Sequence, residues 1–214
     1  MARIKLWYSP GACSLAPHVL LHELGVPFEA VAISVRNGAT QTEEFARINP
    51  KRRVPVLMLD GEVITEVPAI ATAIADLVPE RQLLGKTPLA RARAYEWMAW
   101  LSGTLHGQGF GALWRPERFV EDPALFPALQ QRARRTIEDC FATIEGRLAE
   151  PREGFGAVDP YLLVFSLWGN GLGIPMSDRH PHYTAFARRL VERPSVIATL
   201  RAEGIPPLND GGPG

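Results

Sequence analysis

The chain has 214 residues with 23 basic and 23 acidic side chains, so it carries no formal net charge at pH 7, and its pI is near 7.0. Without a basic excess it has no electrostatic footprint for nucleic acid or an anionic membrane surface, and no apolar run reaches the ~20 residues needed to span a bilayer. The opening MARIKLWYSP lacks the long apolar core of a secretory signal, and two cysteines, Cys13 and Cys140, fit a reducing compartment. A cytoplasmic protein is expected.

Residues 4–8 predict a first strand. Ser9-Pro10-Gly11-Ala12 reads as a loop, and residues 14–24 as a helix with Leu15, Val19 and Leu24 at helical spacing and Gly25 as its stop. Pro17 falls in the first turn, where its missing N–H costs nothing. Residues 28–35 predict a second strand, broken by Arg36-Asn37-Gly38, and residues 42–48 a short helix with Phe45 and Ile48 facing inward. After the loop 49–53, residues 54–59 and 62–65 form a hairpin about Asp60-Gly61. Pro55 at the start of that hairpin suits a strand end or an edge, and sequence leaves its isomer open. Residues 68–78 predict a helix with Ile70, Ile74, Leu77 and Val78 inside, ended by Pro79. This β-α-β-α-β-β-α order makes residues 1–83 one α/β domain.

Residues 83–88 read as a linker, and beyond it strand patterns stop. A long helix is expected over 89–113, with Ala90, Ala94, Trp97, Met98, Leu101 and Leu105 as its stripe. A second covers 125–148, where Cys140 lies in an apolar stripe with Ile137, Phe141 and Ile144 and reads as core. Further helices start near Ala157, near His182 and at Pro194. Residues 89–204 therefore predict an all-helical domain, and the Pro- and Gly-rich 205–214 a flexible tail.

Cys13 stands directly after a strand and loop, at the expected start of a helix. Unpaired N–H groups there favour thiolate over thiol, which predicts a pKa below the free value of about 8.5; the alternative is a small, buried, inert residue. No second cysteine lies three residues on, so the run Cys13-Ser14-Leu15-Ala16 argues against a dithiol oxidoreductase of the C-x-x-C type, and a single thiol must use an external partner. Ser14 is a rival nucleophile or, more simply, a helix cap. Glu66, at the end of the last strand and the start of a helix, can stabilise the dipole or bind a ligand amine, and the N–H groups beside it can take a carboxylate. His106 lies off the stripe of the long helix near Gly103, Gly107 and Phe110, a pattern that suits a concave surface or an ordinary exposed histidine. His18 and His22 are four apart but lack a third ligand, so no metal is expected. Lys51, Arg52 and Arg53 flank Val54-Pro55 as a basic loop. Trp114 can wall an apolar pocket.

Together these pieces resemble the soluble glutathione transferases, most closely the bacterial beta class. The residues that carry the resemblance are Tyr8-Ser9-Pro10-Gly11-Ala12-Cys13-Ser14-Leu15, Asn49-Pro50-Lys51, Val54-Pro55-Val56-Leu57, Thr65-Glu66 with Pro68-Ala69-Ile70, and Leu105-His106. The resemblance spans nearly the whole chain. It implies a thioredoxin-like N-terminal domain followed by an all-helical C-terminal domain, a homodimer and a cis Pro55. It implies Cys13 and His106 as catalytic residues. Tyr8, Ala12, Cys13, Val35, Arg53, Val54, Pro55, Glu66 and Val67 are the implied contacts to glutathione, and His106, Phe110 and Trp114 those to the electrophile. The implied activity is conjugation of glutathione to small hydrophobic electrophiles, serving detoxification, with thiol-disulfide exchange through Cys13 as a further activity. Departures from the family pattern are Val67 for Ser or Gly, Gly107 for Lys, Ala99 and Gly103 for polar residues, Arg36 for a nearby Lys, and Gly156 for the Ser or Thr cap before Asp159. Lost charged hydrogen bonds are worth roughly 1.5–3 kcal/mol each, so a non-catalytic ligand-binding protein on the same fold is the alternative reading.

Overall fold

Four short strands make one mixed sheet: β1 (Ile4–Tyr8), β2 (Glu29–Ala32), β3 (Val56–Leu59) and β4 (Glu62–Thr65), in the order β2-β1-β3-β4. The structure, a computed structural model, describes residues 2–150 and 154–206. β1 and β2 run parallel, with Tyr8 opposite Ala32, which requires the crossover helix α1 (Leu15–Leu24) between them. β3 is antiparallel to β1 and to β4, and the β3–β4 turn is made by Asp60 and Gly61, both at positive φ, as a tight hairpin demands. Alternation along β1 sends Leu6 and Tyr8 into the main core and Trp7 to the opposite face. There Trp7 meets Val56 and Phe45 of α2 (Glu43–Ile48). Helix α3 (Val67–Ala75) packs on the same side as α1, burying Ile70 and Ile74 completely.

The rest is helical. The expected long helix runs without interruption from α4 (Pro88–Trp100) to α5 (Ala112–Trp114), but its middle, Leu101–Gly111, winds as a π-helix. Sequence periodicity did not reveal that change of pitch; the glycines explain it. A Cβ on Gly107 would lie 3.3 Å from the Ser102 carbonyl oxygen, and one on Gly111 would lie 3.0 Å from that of His106, in each case the carbonyl five residues back. α6 (Phe126–Leu148) buries Ala133, Ile137, Cys140, Phe141 and Ile144, as its stripe predicted. α7 (Asp159–Gly171) is buried through most of its length, and Asp159 accepts a 2.9 Å bond from the Gly156 N–H at its start. α8 (Met176–Arg179) is a short element with no clear sequence signal, followed by α9 (Pro181–Val191) and α10 (Pro194–Ala202).

Two expectations need correction. The predicted linker is not loose: Leu83 and Leu84 are buried, and the Leu83 carbonyl accepts the Ala157 N–H at 2.8 Å. The predicted flexible tail does not begin at residue 205. Ile205 donates its N–H to the Leu200 carbonyl at 2.9 Å and packs against the core. The remainder of that segment, 207–214, lies outside the described residues.

Candidate active site

Everything at the site hangs from the loop between β1 and α1. Gly11 adopts φ +70°, a conformation that glycine takes without strain. Both of its main-chain groups are held by the helical half of the chain. Its N–H donates to Glu203 Oε2 at 2.9 Å, and its carbonyl accepts the Trp168 indole N–H at 2.8 Å. The other Glu203 oxygen lies 2.9 Å from His18 Nδ1, and both side chains are fully sealed from solvent. Ser14 does not cap α1 as expected. Its hydroxyl accepts the Ser9 N–H at 3.0 Å and donates to the Ser9 carbonyl at 3.1 Å, cinching the loop. Ser9 Oγ in turn accepts the Val35 N–H at 3.3 Å, which brings Val35 to the loop, and Ala12 bonds back to the Ser9 carbonyl.

Cys13 is buried, and its thiol donates to the Val54 carbonyl at 3.6 Å. Burial pushes the Cys13 thiol from an ordinary 9.0 up to about 12, and the Glu66 carboxylate adds to the rise. The N–H groups of Cys13 and Ser14, with Arg115, pull the other way and lose. This overturns the expectation of a depressed pKa: losing water costs a thiolate more here than the helix start returns.

Opposite Cys13 the Val54-Pro55 peptide is cis, as the resemblance implied. The Val54 N–H has no hydrogen-bond partner among the described residues. Arg53 beside it is exposed, with its carbonyl held by Asn49 Nδ2 at 2.7 Å. Glu66 leads into α3 at φ +70° and ψ +125°, a strained backbone for a residue other than glycine. Its carboxylate is exposed and meets Lys51 Nζ at 2.8 Å. Val67, the first residue of α3, is buried, and its N–H has no acceptor within the helix.

The helical half supplies His106, carried on the π-helical stretch, where wide turns often mark functional positions. Burial lowers its pKa from 6.5 to about 4, helped by Arg115 and Arg53 and opposed by Glu66, so the ring is neutral at pH 7. Its ring lies 5.3 Å from that of Trp168. Trp114 is 44% exposed and stands 4.9 Å from both Phe110 and Trp168, which suits a pocket wall.

Two expected site residues drop out. Phe110 is fully buried between Phe165, Phe141 and Trp168, so no ligand reaches it; it backs Trp114 instead. Tyr8 is buried with its ring 4.7 Å from His18, and its hydroxyl donates to the Ala202 carbonyl at 3.4 Å, so it belongs to the packing of α1 on α10. Sequence reasoning missed Trp168, Tyr161 and Glu203. The first two lie at helical spacing in α7, as core residues do, and Glu203 gave no signal apart from an unexplained histidine, His18, on a buried helix. Among the described residues no group of three His, Cys, Asp or Glu side chains is placed to hold a metal ion.

Residues 11–77 match the family model for the glutathione S-transferase N-terminal domain. The Escherichia coli O157:H7 glutathione S-transferase GstA is 32% identical over 205 residues, covering 94% of this chain and 100% of that protein. A glutathione transferase homologue from Sulfitobacter, solved with bound glutathione, superposes at a TM-score of 0.89 with 26% identity over 96% of this chain and 100% of its own. A bacterial beta-class enzyme from Sphingomonas chungbukensis superposes at 0.82 with 34% identity over 94% and 100%. Identity at that level, kept along nearly the whole of both chains, makes this protein a member of the glutathione S-transferase family of enzymes.

Proposed function

We propose that the protein transfers small hydrophobic electrophiles to the thiol of glutathione, bound between the Cys13 loop and α3, and so serves detoxification. The observation that carries this reading is the gathering around Cys13 of main-chain groups and one exposed carboxylate. The Val54 carbonyl meets the thiol, and Glu66 and the Val67 N–H stand at the start of α3. Val54 takes the amide of the cysteinyl part, Glu66 the γ-glutamyl ammonium, and the N-terminus of α3 its carboxylate. Ala12, Val35, Arg53 and Pro55 line the remainder. Glutathione is bound in the Sulfitobacter homologue, which supports the same ligand here.

The electrophile sits against His106 and Trp114. Glutathione brings its own thiol, and Cys13, kept as a thiol by burial with its S–H on the Val54 carbonyl, does not compete with it as a thiolate. Conjugation is thereby favoured over exchange through Cys13. We read the protein as a cytoplasmic homodimer of about 47 kDa, twice the 23.6 kDa chain. Two free cysteines support the compartment. Support for the dimer comes from α4, which buries only Met98 and exposes Leu89 and Tyr95.

Two assays test the function: capture on glutathione-agarose with elution by free glutathione, and conjugation of 1-chloro-2,4-dinitrobenzene. Capture and turnover are expected. Retention of apolar ligands with neither result would favour the non-catalytic reading, and light scattering that shows only monomer at micromolar concentration would remove the dimer.

A further inference from the structure

Among the described residues His106 has one side-chain hydrogen-bond partner, and that partner has one further partner of its own. His106 Nδ1 lies 3.4 Å from the Tyr161 hydroxyl, and the Tyr161 hydroxyl lies 3.1 Å from Ser102 Oγ. Tyr161 is 1% exposed and held in α7, its ring 4.8 Å from that of Phe165. Among the described residues His106 Nε2 has no hydrogen-bond partner, and it is not one of their fully buried unpaired side-chain atoms, as the Nε2 atoms of His18 and His22 are. The three residues form a short chain across the helical half that ends on one open ring nitrogen.

The chain has a preferred direction. Each hydroxyl has one proton to give. A phenol is the strongest acid of the three groups and a neutral imidazole nitrogen the strongest base, so the best-matched bond runs from Tyr161 O–H to His106 Nδ1. Ser102 then donates to the Tyr161 oxygen, and both hydroxyl protons have an acceptor. The imidazole's own proton is left on Nε2. Reversal would use the phenol oxygen, a poor acceptor, for the histidine N–H and leave the Ser102 proton without a protein acceptor.

We propose that Tyr161, backed by Ser102, is a positioning residue that fixes His106 in its Nε2–H tautomer and aims that N–H donor into the cleft, so that the site prefers electrophiles whose reaction places negative charge on an oxygen. This rests on the reading of His106 as an electrophile-side residue. Burial and the nearby arginines keep the ring neutral at pH 7, so the donor keeps its proton throughout. In attack on a nitroaryl halide the thiolate lone pair forms the C–S bond while ring π electrons move onto the nitro oxygens. The electrons then return and halide leaves with its bonding pair. His106 only hydrogen-bonds the oxygen that gains charge. An alkyl halide, displaced in one step with charge on the leaving halide, gains little from such a donor.

The test begins with the full chain and no variant. Nitrogen-15 NMR of histidine-labelled protein is expected to report His106 with Nε2 protonated and Nδ1 bare; a proton on Nδ1 overturns the proposal. Tyr161→Phe should then give a mixture of tautomers. It should lower kcat for 1-chloro-2,4-dinitrobenzene roughly three- to tenfold, the scale of one neutral hydrogen bond, leaving the glutathione KM and the turnover of methyl iodide unchanged. In a His106→Gln background, whose amide places an N–H near the Nε2 position, Tyr161→Phe should cause no further loss. Equal losses with both electrophiles, or an unchanged tautomer in Tyr161→Phe, would reduce Tyr161 to packing. A chain that conjugates nothing would reject the transferase reading, while the NMR would still decide the hydrogen-bond chain.

Discussion

Cys13 should be one of the least reactive thiols in the folded protein, and this can be put in numbers. Its pKa is pushed from 9.0 to about 12. Three decades separate the two values, so at any pH below 9 the folded protein holds about a thousandfold less Cys13 thiolate than an exposed cysteine would. Alkylation proceeds through the thiolate, so its rate should fall by the same factor. The assay is iodoacetamide labelling at pH 8, quenched over time and read by peptide mass spectrometry. The same chain unfolded in guanidinium supplies the reference rate. Cys140, raised to about 11 by burial and the nearby Asp139 carboxylate, is an internal comparison that should react faster than Cys13 if opening motions do not dominate. Reaction of Cys13 within tenfold of the unfolded chain, or a rate that levels off below pH 9, would refute the reasoning. The helix start would then outweigh burial after all, and exchange through a mixed disulfide would return as an activity.

Other consequences follow from named contacts. Glu203→Ala leaves a buried His18 nitrogen and the Gly11 N–H without their partner, so it should cost about 1–3 kcal/mol of stability for each group left unsatisfied; a urea midpoint within error of the wild type would show that the contact contributes little. Acid should destabilise the fold before carboxylates titrate. His106 binds its proton near pH 4 in the folded chain but near 6.5 when unfolded, so its contribution is complete above pH 6.5 and is lost as pH falls through that window, by roughly 3 kcal/mol in all. His22 and His180 are lowered in the same direction, and His106→Gln should flatten the urea midpoint against pH between 6.5 and 4. Glu66→Gln should weaken glutathione binding by roughly 1.5–3 kcal/mol in titration calorimetry; equal affinities would leave Glu66 as no more than a partner for Lys51.

Much of this was legible in the residues themselves. The order of strands and helices along the chain followed from where apolar alternation gave way to helical spacing, and Asp60-Gly61 marked the hairpin, whereas the order of strands within the sheet did not show in the sequence. Cys13 and Glu66 could be singled out because each sits at an end of an element, where main-chain groups lack partners, and Val54 through the family resemblance. Contacts across the chain were not legible. Glu203 and Trp168 hold the loop before Cys13 from positions 192 and 157 residues away, a pairing that no local pattern encodes. Phe110 was misread because a π-helix rotates side chains off the 3.6-residue stripe on which faces were assigned. Tyr8 was misread because it opens the family motif, yet here its hydroxyl turns toward Ala202.

The thiol of Cys13 shows why position alone misleads. A helix start contributes partial charges worth about 0.3–1 kcal/mol at exposed sites, whereas a rise from 9.0 to about 12 corresponds to roughly 4 kcal/mol against the thiolate. The packing that causes this burial also fixes the loop: Trp168 and Glu203 close over Gly11, and Val54 closes over the sulfur. Opening the site enough to ionise Cys13 would mean releasing those contacts. A fold that clamps the loop so firmly is better suited to orienting a thiol brought in by a ligand than to exposing its own, and for that reason conjugation fits this chain better than exchange.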